Sequence, residues 1–180
     1  MRLARCGGTW AAIALLAACG GEQEAEPAAD TVDTVAAPSM DADATTAIMV
    51  TLTGGPNAGT YTTASNERLC AVGTNETDLW SVQLADDTAT AGVGAVQIMI
   101  PDTTAAKAGT NVFHFSVIIG SMMQGTDYTI ESRPQTRAVG RGTATVNDTG
   151  TGATITVEGV TRDTIQLRAE IRCREVRRGR

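Results

Sequence analysis

Short segments in which apolar and polar residues alternate do most to constrain what this chain can fold into. In residues 153–157 alanine, isoleucine and valine alternate with threonine, and in residues 165–171 isoleucine, leucine and alanine alternate with glutamine, arginine and glutamate. Successive side chains of a β-strand point to opposite faces, so a period of two predicts strands with one face buried. The chain should therefore build its core from half-buried strands.

Turn-forming residues separate these segments along most of the chain after residue 45, as in Gly-Gly-Pro-Asn at residues 54–57. The pattern predicts an all-β, antiparallel β-sandwich of about 8–10 short strands, and a closed antiparallel barrel is the alternative. One short helical turn is expected, at residues 102–107. The expected strands are 47–52, 59–64, 68–72, 79–84, 94–100, 112–119, 128–131, 142–146, 153–157 and 164–173.

The N-terminus has the pattern of an export signal. Arg2 and Arg5 precede a short apolar run at residues 10–18. Such a run would rise only about 14 Å as a helix, which is far less than the roughly 30 Å of hydrocarbon in a bilayer. A basic start followed by a short apolar run predicts a signal that is cleaved, and not a transmembrane anchor.

Leu16, Ala17, Ala18 and Cys19 end this apolar run, and together they resemble the lipobox of bacterial lipoproteins. The resemblance implies that a diacylglyceryl group is attached to the Cys19 thiol and that a signal peptidase cleaves between Ala18 and Cys19. The domains would then be a signal peptide (1–18), a lipidated cysteine with its linker (19–45) and a β-sandwich (46–180). The alternative is an ordinary export signal that happens to contain a cysteine at its cleavage site.

A lipid on Cys19 would make a membrane the first partner of this protein. The expected location is the cell envelope: the outer membrane or the periplasmic face in a Gram-negative host, and the cell surface otherwise. Each buried methylene contributes about 0.8 kcal/mol, so two or three acyl chains would hold the protein firmly.

The charge is distributed unevenly along the chain. Residues 20–45 contain seven acids, no base and few large apolar residues, which predicts a disordered acidic linker. The other 13 of the 20 acids and 12 of the 14 bases follow residue 45, so the predicted domain is nearly neutral. Because it lacks a basic face with interleaved aromatic residues, we expect no nucleic-acid partner.

Cys70 and Cys173 are the two cysteines that remain after the predicted cleavage and lipidation. Both lie in predicted strands, and thiols of exported proteins usually pair in an oxidising compartment. We therefore predict a structural disulfide between an early strand and the last one. A redox or metal-binding pair is the alternative, although the chain has no Cys-x-x-Cys spacing.

Residues 142–173 contain a Gly-Thr-Ala-Thr-Val strand, a Val-Glu-Gly turn and an Ile-Arg-Cys end. This part of the chain loosely resembles the mycobacterial surface lipoprotein antigens, which combine a lipidated cysteine, a low-complexity linker and a β-rich domain with a terminal disulfide. The resemblance implies an architecture and assigns no functional residue.

His114 is the single histidine of the chain, and it alternates with Phe113 and Phe115 in a predicted strand. Met122 and Met123 follow eight and nine residues later, so a Met/His site for cuprous ion is a candidate metal site. A blue-copper centre would need two histidines and a free cysteine, which this chain does not supply. A lone histidine on a strand is more commonly a surface residue, and adjacent methionines more commonly fill a core or a loop.

Motifs for enzymatic chemistry are missing from the sequence. It contains no Gly-x-Ser-x-Gly elbow, no Asp-x-Asp-x-Asp-Gly calcium loop, no phosphate-binding loop and no dinucleotide fingerprint. We therefore expect no cofactor and a non-catalytic extracytoplasmic module that binds an envelope protein or a small ligand. The alternative function is a small copper carrier or an enzyme that uses His114 with Met122 or Met123. The arginines at residues 172–180 are expected to be solvated and frayed, or to meet anionic lipid or the acidic linker.

Overall fold

The computed structural model describes residues 38–74, 78–134 and 136–179. Within these residues the chain forms eleven β-strands and one short α-helix, α1 (Thr103–Ala108). The strands are β1 (Thr46–Thr53), β2 (Gly59–Ser65), β3 (Cys70–Val72), β4 (Trp80–Ala85), β5 (Val93–Ile100), β6 (His114–Ile119), β7 (Thr126–Glu131), β8 (Arg141–Asp148), β9 (Ala153–Val160), β10 (Gln166–Cys173) and β11 (Arg177–Arg178).

The strands form two sheets that share no strand. The five-stranded sheet has the order β2-β1-β10-β9-β8, and the six-stranded sheet has the order β11-β3-β4-β5-β6-β7. Neighbouring strands are antiparallel, except that β11 and β3 run parallel. The predicted all-β sandwich is thereby confirmed, and the closed barrel is not what forms, because a barrel needs one continuous sheet.

The alternation in the sequence sets which side of each strand enters the core. The inward positions of β1 and β10 face each other across their ladder. These pairs are Ile48 with Ile171, Val50 with Ala169, and Leu52 with Leu167. Thr46 and Cys173 form a further buried pair. The outward positions are mostly threonine and charged residues, and among them only Ala47 is buried.

The chain places its few large aromatic side chains at the centre of the core. Trp80, Phe113 and Phe115 are all fully buried. Burying a side chain of phenylalanine size contributes about 1.5–3 kcal/mol, so these residues compensate for a composition with only six aromatics.

Helix α1 closes the connection between β5 and β6. Asp102 caps it, because the Asp102 carboxylate accepts hydrogen bonds from the backbone N–H groups of Thr104 (2.9 Å) and Ala105 (2.8 Å). The helix packs against β8, and Thr110 beyond it exchanges two backbone hydrogen bonds of 2.8 Å with Ala144 of β8. The short helical turn expected near these residues is confirmed, and it covers one edge of the five-stranded sheet.

The C-terminal tail is ordered where the sequence predicted fraying. Strand β11 pairs with β3, and the Gly179 N–H donates to the Val72 carbonyl at 2.9 Å. The guanidinium of Arg178 donates to both carboxylate oxygens of Asp148, at 2.6 and 3.1 Å, and its carbon lies 6.0 Å from the centre of the Trp80 ring. The expectation of a frayed tail is therefore wrong for these residues, because backbone pairing and a two-point ion pair hold them, although both arginines of β11 are exposed to solvent.

Candidate functional site

A charged cluster lies where β6 and β7 meet on the outward side of the six-stranded sheet. We call His114, Glu131, Arg133 and Thr136 the Glu131 cluster. His114 and Glu131 are opposite each other in the β6–β7 ladder, and the His114 Nδ1 atom lies 2.7 Å from Glu131 Oε2. The Arg133 side chain donates from Nε to Oε1 (3.0 Å) and from Nη2 to Oε2 (2.9 Å), and the Thr136 hydroxyl donates to Oε1 (3.1 Å).

The cluster holds the Glu131 carboxyl group in its ionised form. Glu131 is only 9% exposed, and this burial by itself would raise the pKa of its carboxyl group. Hydrogen bonds from the side chain and the backbone N–H of Arg133, from His114 and from Thr136 outweigh that burial and lower the pKa to about 2. Glu131 is therefore a fully ionised, nearly buried carboxylate at neutral pH.

This arrangement fixes the orientation of the His114 ring. An ionised carboxylate can only accept hydrogen bonds, so Nδ1 of His114 is the donor in this contact. Met99 of β5 lies opposite His114 in the next ladder, and the Met99 sulfur is 3.8 Å from Arg133 Nη1. The Glu131 cluster therefore ties β5, β6 and β7 to the segment that leads into β8.

The structure does not bring together the histidine and the methionines that the sequence suggested as a metal site. His114 begins β6, whereas Met122 and Met123 lie in the turn beyond its end. The six residues of β6 span roughly 17 Å at about 3.3 Å per residue, which is too far for one ion. Met123 is 92% exposed, and in the described part of the chain no three His, Cys, Asp or Glu side chains could hold a metal.

A large groove begins beside the Glu131 cluster. It has a volume of about 820 Å³ and is lined by the end of β2, the loop to β3, and strands β4 and β5; we call it the β2–β4 groove. Met99 connects the two features, because it lines the groove and its sulfur contacts Arg133 of the Glu131 cluster. The ladder between β3 and β4 ends at Cys70 and Val82, so the rest of β4 is open to the groove.

The wall of this groove combines apolar side chains with neutral and charged polar ones. Gln83 of β4 and Gln97 of β5 lie opposite each other in the ladder, and both line the groove. Charged residues that also line it are Glu67, Asp86 and Arg177. Two hydrogen bonds from Thr88 lower the pKa of Asp86 and keep this carboxyl group ionised. The larger effect comes from the Thr88 side chain and the smaller one from its backbone N–H.

The predicted disulfide between Cys70 and Cys173 is present. It joins β3 of one sheet to β10 of the other, with 6.2 Å between the two Cα atoms, and both cysteines are buried. Such a covalent connection between the sheets is typical of proteins that fold in an oxidising compartment. Cys173 is not in the last strand, however, because β11 follows it.

The predicted cleavage and lipidation residues, Ala18 and Cys19, lie outside the described residues, as does the linker up to residue 37. Strand β1 begins at Thr46, the first residue of the predicted domain. None of the helices in the described ranges is both long enough and apolar enough to span a bilayer.

Sequence reasoning singled out His114 and missed its partners. Glu131 and Arg133 were not predicted, because β7 alternates polar and apolar residues and a glutamate at its end is not unusual there. The ion pair between Asp148 and Arg178 was missed as well, since the two residues are 30 positions apart and no local pattern links them. Comparison of this chain with protein-family models, curated proteins and solved structures finds no match.

Proposed function

We propose that this protein is an exported lipoprotein, anchored by lipid on Cys19, whose β-sandwich binds an envelope component in the β2–β4 groove without transforming it. The lipobox-like sequence that ends at Cys19 supports the anchor. The disulfide between Cys70 and Cys173 supports export, because such bonds persist in oxidising compartments.

The β2–β4 groove is the observation that carries the binding function. Ligand sites are concave surfaces with a few well-placed polar groups. The side-chain amides of Gln83 and Gln97 each donate and accept, so the wall fits a ligand with neutral amide or hydroxyl groups. The charged groups Glu67, Asp86 and Arg177 would help to orient that ligand.

The anchor is tested by replacing the cysteine that would carry the lipid. We expect Cys19→Ser to abolish incorporation of labelled palmitate and to remove the protein from the detergent phase. The control is Cys6→Ser, because Cys6 lies in the predicted signal peptide and should leave labelling unchanged. Palmitate labelling that persists in Cys19→Ser, or an unlabelled wild type, would contradict the anchor.

The groove is tested by a photo-cross-linking amino acid in place of Gln83 in the intact protein, in living cells. We expect an adduct with an envelope component that is absent when the same amino acid replaces Thr145, which is exposed on β8. The binding proposal fails if both positions give the same products, or if position 83 gives no adduct.

A further inference from the structure

The lateral edges of the two sheets differ in how they are protected. An open strand edge presents unpaired backbone groups, and proteins usually cover it, shorten it or place charges on it. Edge strand β8 is covered by α1 and by the hydrogen bonds between Thr110 and Ala144. Edge strand β7 carries Asp127, and Glu131 at its end exchanges two 2.7 Å backbone hydrogen bonds with Val139. Edge strand β11 has only two residues, both arginine.

Within the described parts of the chain, strand β2 has none of these protections. It is seven residues long, Gly-Thr-Tyr-Thr-Thr-Ala-Ser, and contains no charged residue and no proline. Its register with β1 runs without a bulge from Gly59 to Ser65. Among the described residues, no strand pairs with the side of β2 that faces away from β1. A long, uncharged and regular edge of this kind is suited to pairing with another strand.

We propose that the partner of β2 is the β2 strand of a second copy of this chain, paired antiparallel about a two-fold axis. The five-stranded sheets of the two copies would then form one continuous ten-stranded sheet. An uncharged strand can pair with its own copy without repulsion, whereas like charges directly opposite each other destabilise a pair. The acidic segment at residues 20–45 is a poorer partner, because it would bring carboxylates beside Glu67.

The remaining edges explain why this pairing should stop at two copies. The opposite edge of the five-stranded sheet is β8, which α1 and Thr110 already cover. A two-fold contact uses the same surface of both copies and is therefore closed. In this dimer Thr60 and Thr62 of the two copies extend the outward threonine face across the interface. Ala64 and Ser65 also line the β2–β4 groove, so the second copy would border that groove.

The test uses the full chain in its native membrane and in detergent. Single cysteines replace Thr60, Tyr61, Thr62 or Thr63 in turn, and covalent dimers are scored on a non-reducing gel. Residues next to a two-fold axis meet their own copies, so we expect a dimer band from one or two of these positions only. Thr145→Cys on β8 is the matched control and should give no such band. The wild type should also give none, and it controls for any dimer that forms through Cys6 or Cys19.

A charge placed on the edge provides the second measurement. We expect the wild type to sediment in density-matched detergent with twice the mass of one chain, and Thr62→Lys to weaken this association at least tenfold. Thr145→Lys should leave it unchanged. The proposal is overturned if the wild type is monomeric, or if no β2 cysteine gives a dimer band. It is also overturned if the β2 cysteines cross-link only to a different protein, or if Thr62→Lys leaves the dimer intact. None of these outcomes depends on the cross-link at Gln83, so the two proposals are judged separately.

Discussion

Replacing Glu131 with glutamine should remove the electrostatic stabilisation that the Glu131 cluster provides. Lowering the pKa of a carboxyl group from 4.5 to about 2 in the folded state means that folding favours its ionised form. This difference corresponds to roughly 3 kcal/mol of stability at pH 7. The amide of Glu131→Gln would also place N–H groups against the donors of His114 or Arg133, and an unpaired buried donor adds to the cost.

The sign of the pH dependence follows from the direction of this pKa shift. Because the pKa of Glu131 is lowered on folding, its contribution is complete above about pH 5 and is lost as the pH falls towards 2. The wild type should therefore lose stability across this range faster than the Glu131→Gln variant does. The difference in unfolding free energy between the two should narrow from roughly 3 kcal/mol at pH 7 to about half of that at pH 3.

Urea unfolding of both proteins at pH 7 and pH 3, followed by circular dichroism, measures this difference. The matched control is Glu158→Gln on the outward face of the five-stranded sheet. The Glu158 side chain is 60% exposed, and its carboxylate lies 3.4 Å from Nε of Arg168. Glu158→Gln removes only this exposed ion pair, so it should change the unfolding free energy by less than about 0.5 kcal/mol. The reasoning is refuted if Glu131→Gln costs no more than this control, or if its cost is the same at both pH values.

Two further predictions concern the connections that join the sheets. Cys70 and Cys173 are 103 residues apart, so reducing their disulfide should lower the unfolding free energy by up to about 4.7 kcal/mol in the chain-entropy model. Thermal unfolding with and without reductant measures this loss, and an unchanged melting temperature would contradict it. Arg178→Ala should release β11 at a cost of roughly 1 kcal/mol, because it removes a two-point ion pair. Hydrogen exchange at the Gly179 amide, which is bonded to the Val72 carbonyl, should then accelerate, and unchanged protection would show that Arg178 does not hold the strand.

The strands were predictable because their signal is local. Each of the ten expected segments overlaps an observed strand. Alternation of apolar and polar residues favours a strand and also determines which of its faces is buried. Strand β11 was not predictable in this way. It has only two residues, Arg177 and Arg178, and no alternation, so its formation depends on the β3 edge and on Asp148.

The candidate site was predicted only in part, and the reason is again the range of the signal. His114 stood out as a single histidine on a strand, and the structure places it at the start of β6 with 15% of its side chain exposed. Its partner Glu131 is 17 residues away, and the two meet only because β6 and β7 pair in one particular register. A shift of one residue in that register would move Glu131 to the opposite face.

The sequence by itself determined the class of fold, the inward and outward faces of most strands, and the partners in the disulfide. Periodicity and the supply of cysteines are properties of the chain, and they do not depend on which strands become neighbours. Only the tertiary structure decided which side chains converge, which edges are covered and where the β2–β4 groove lies. These features depend on strand order and register, which are set by packing of the whole core and not by any local segment.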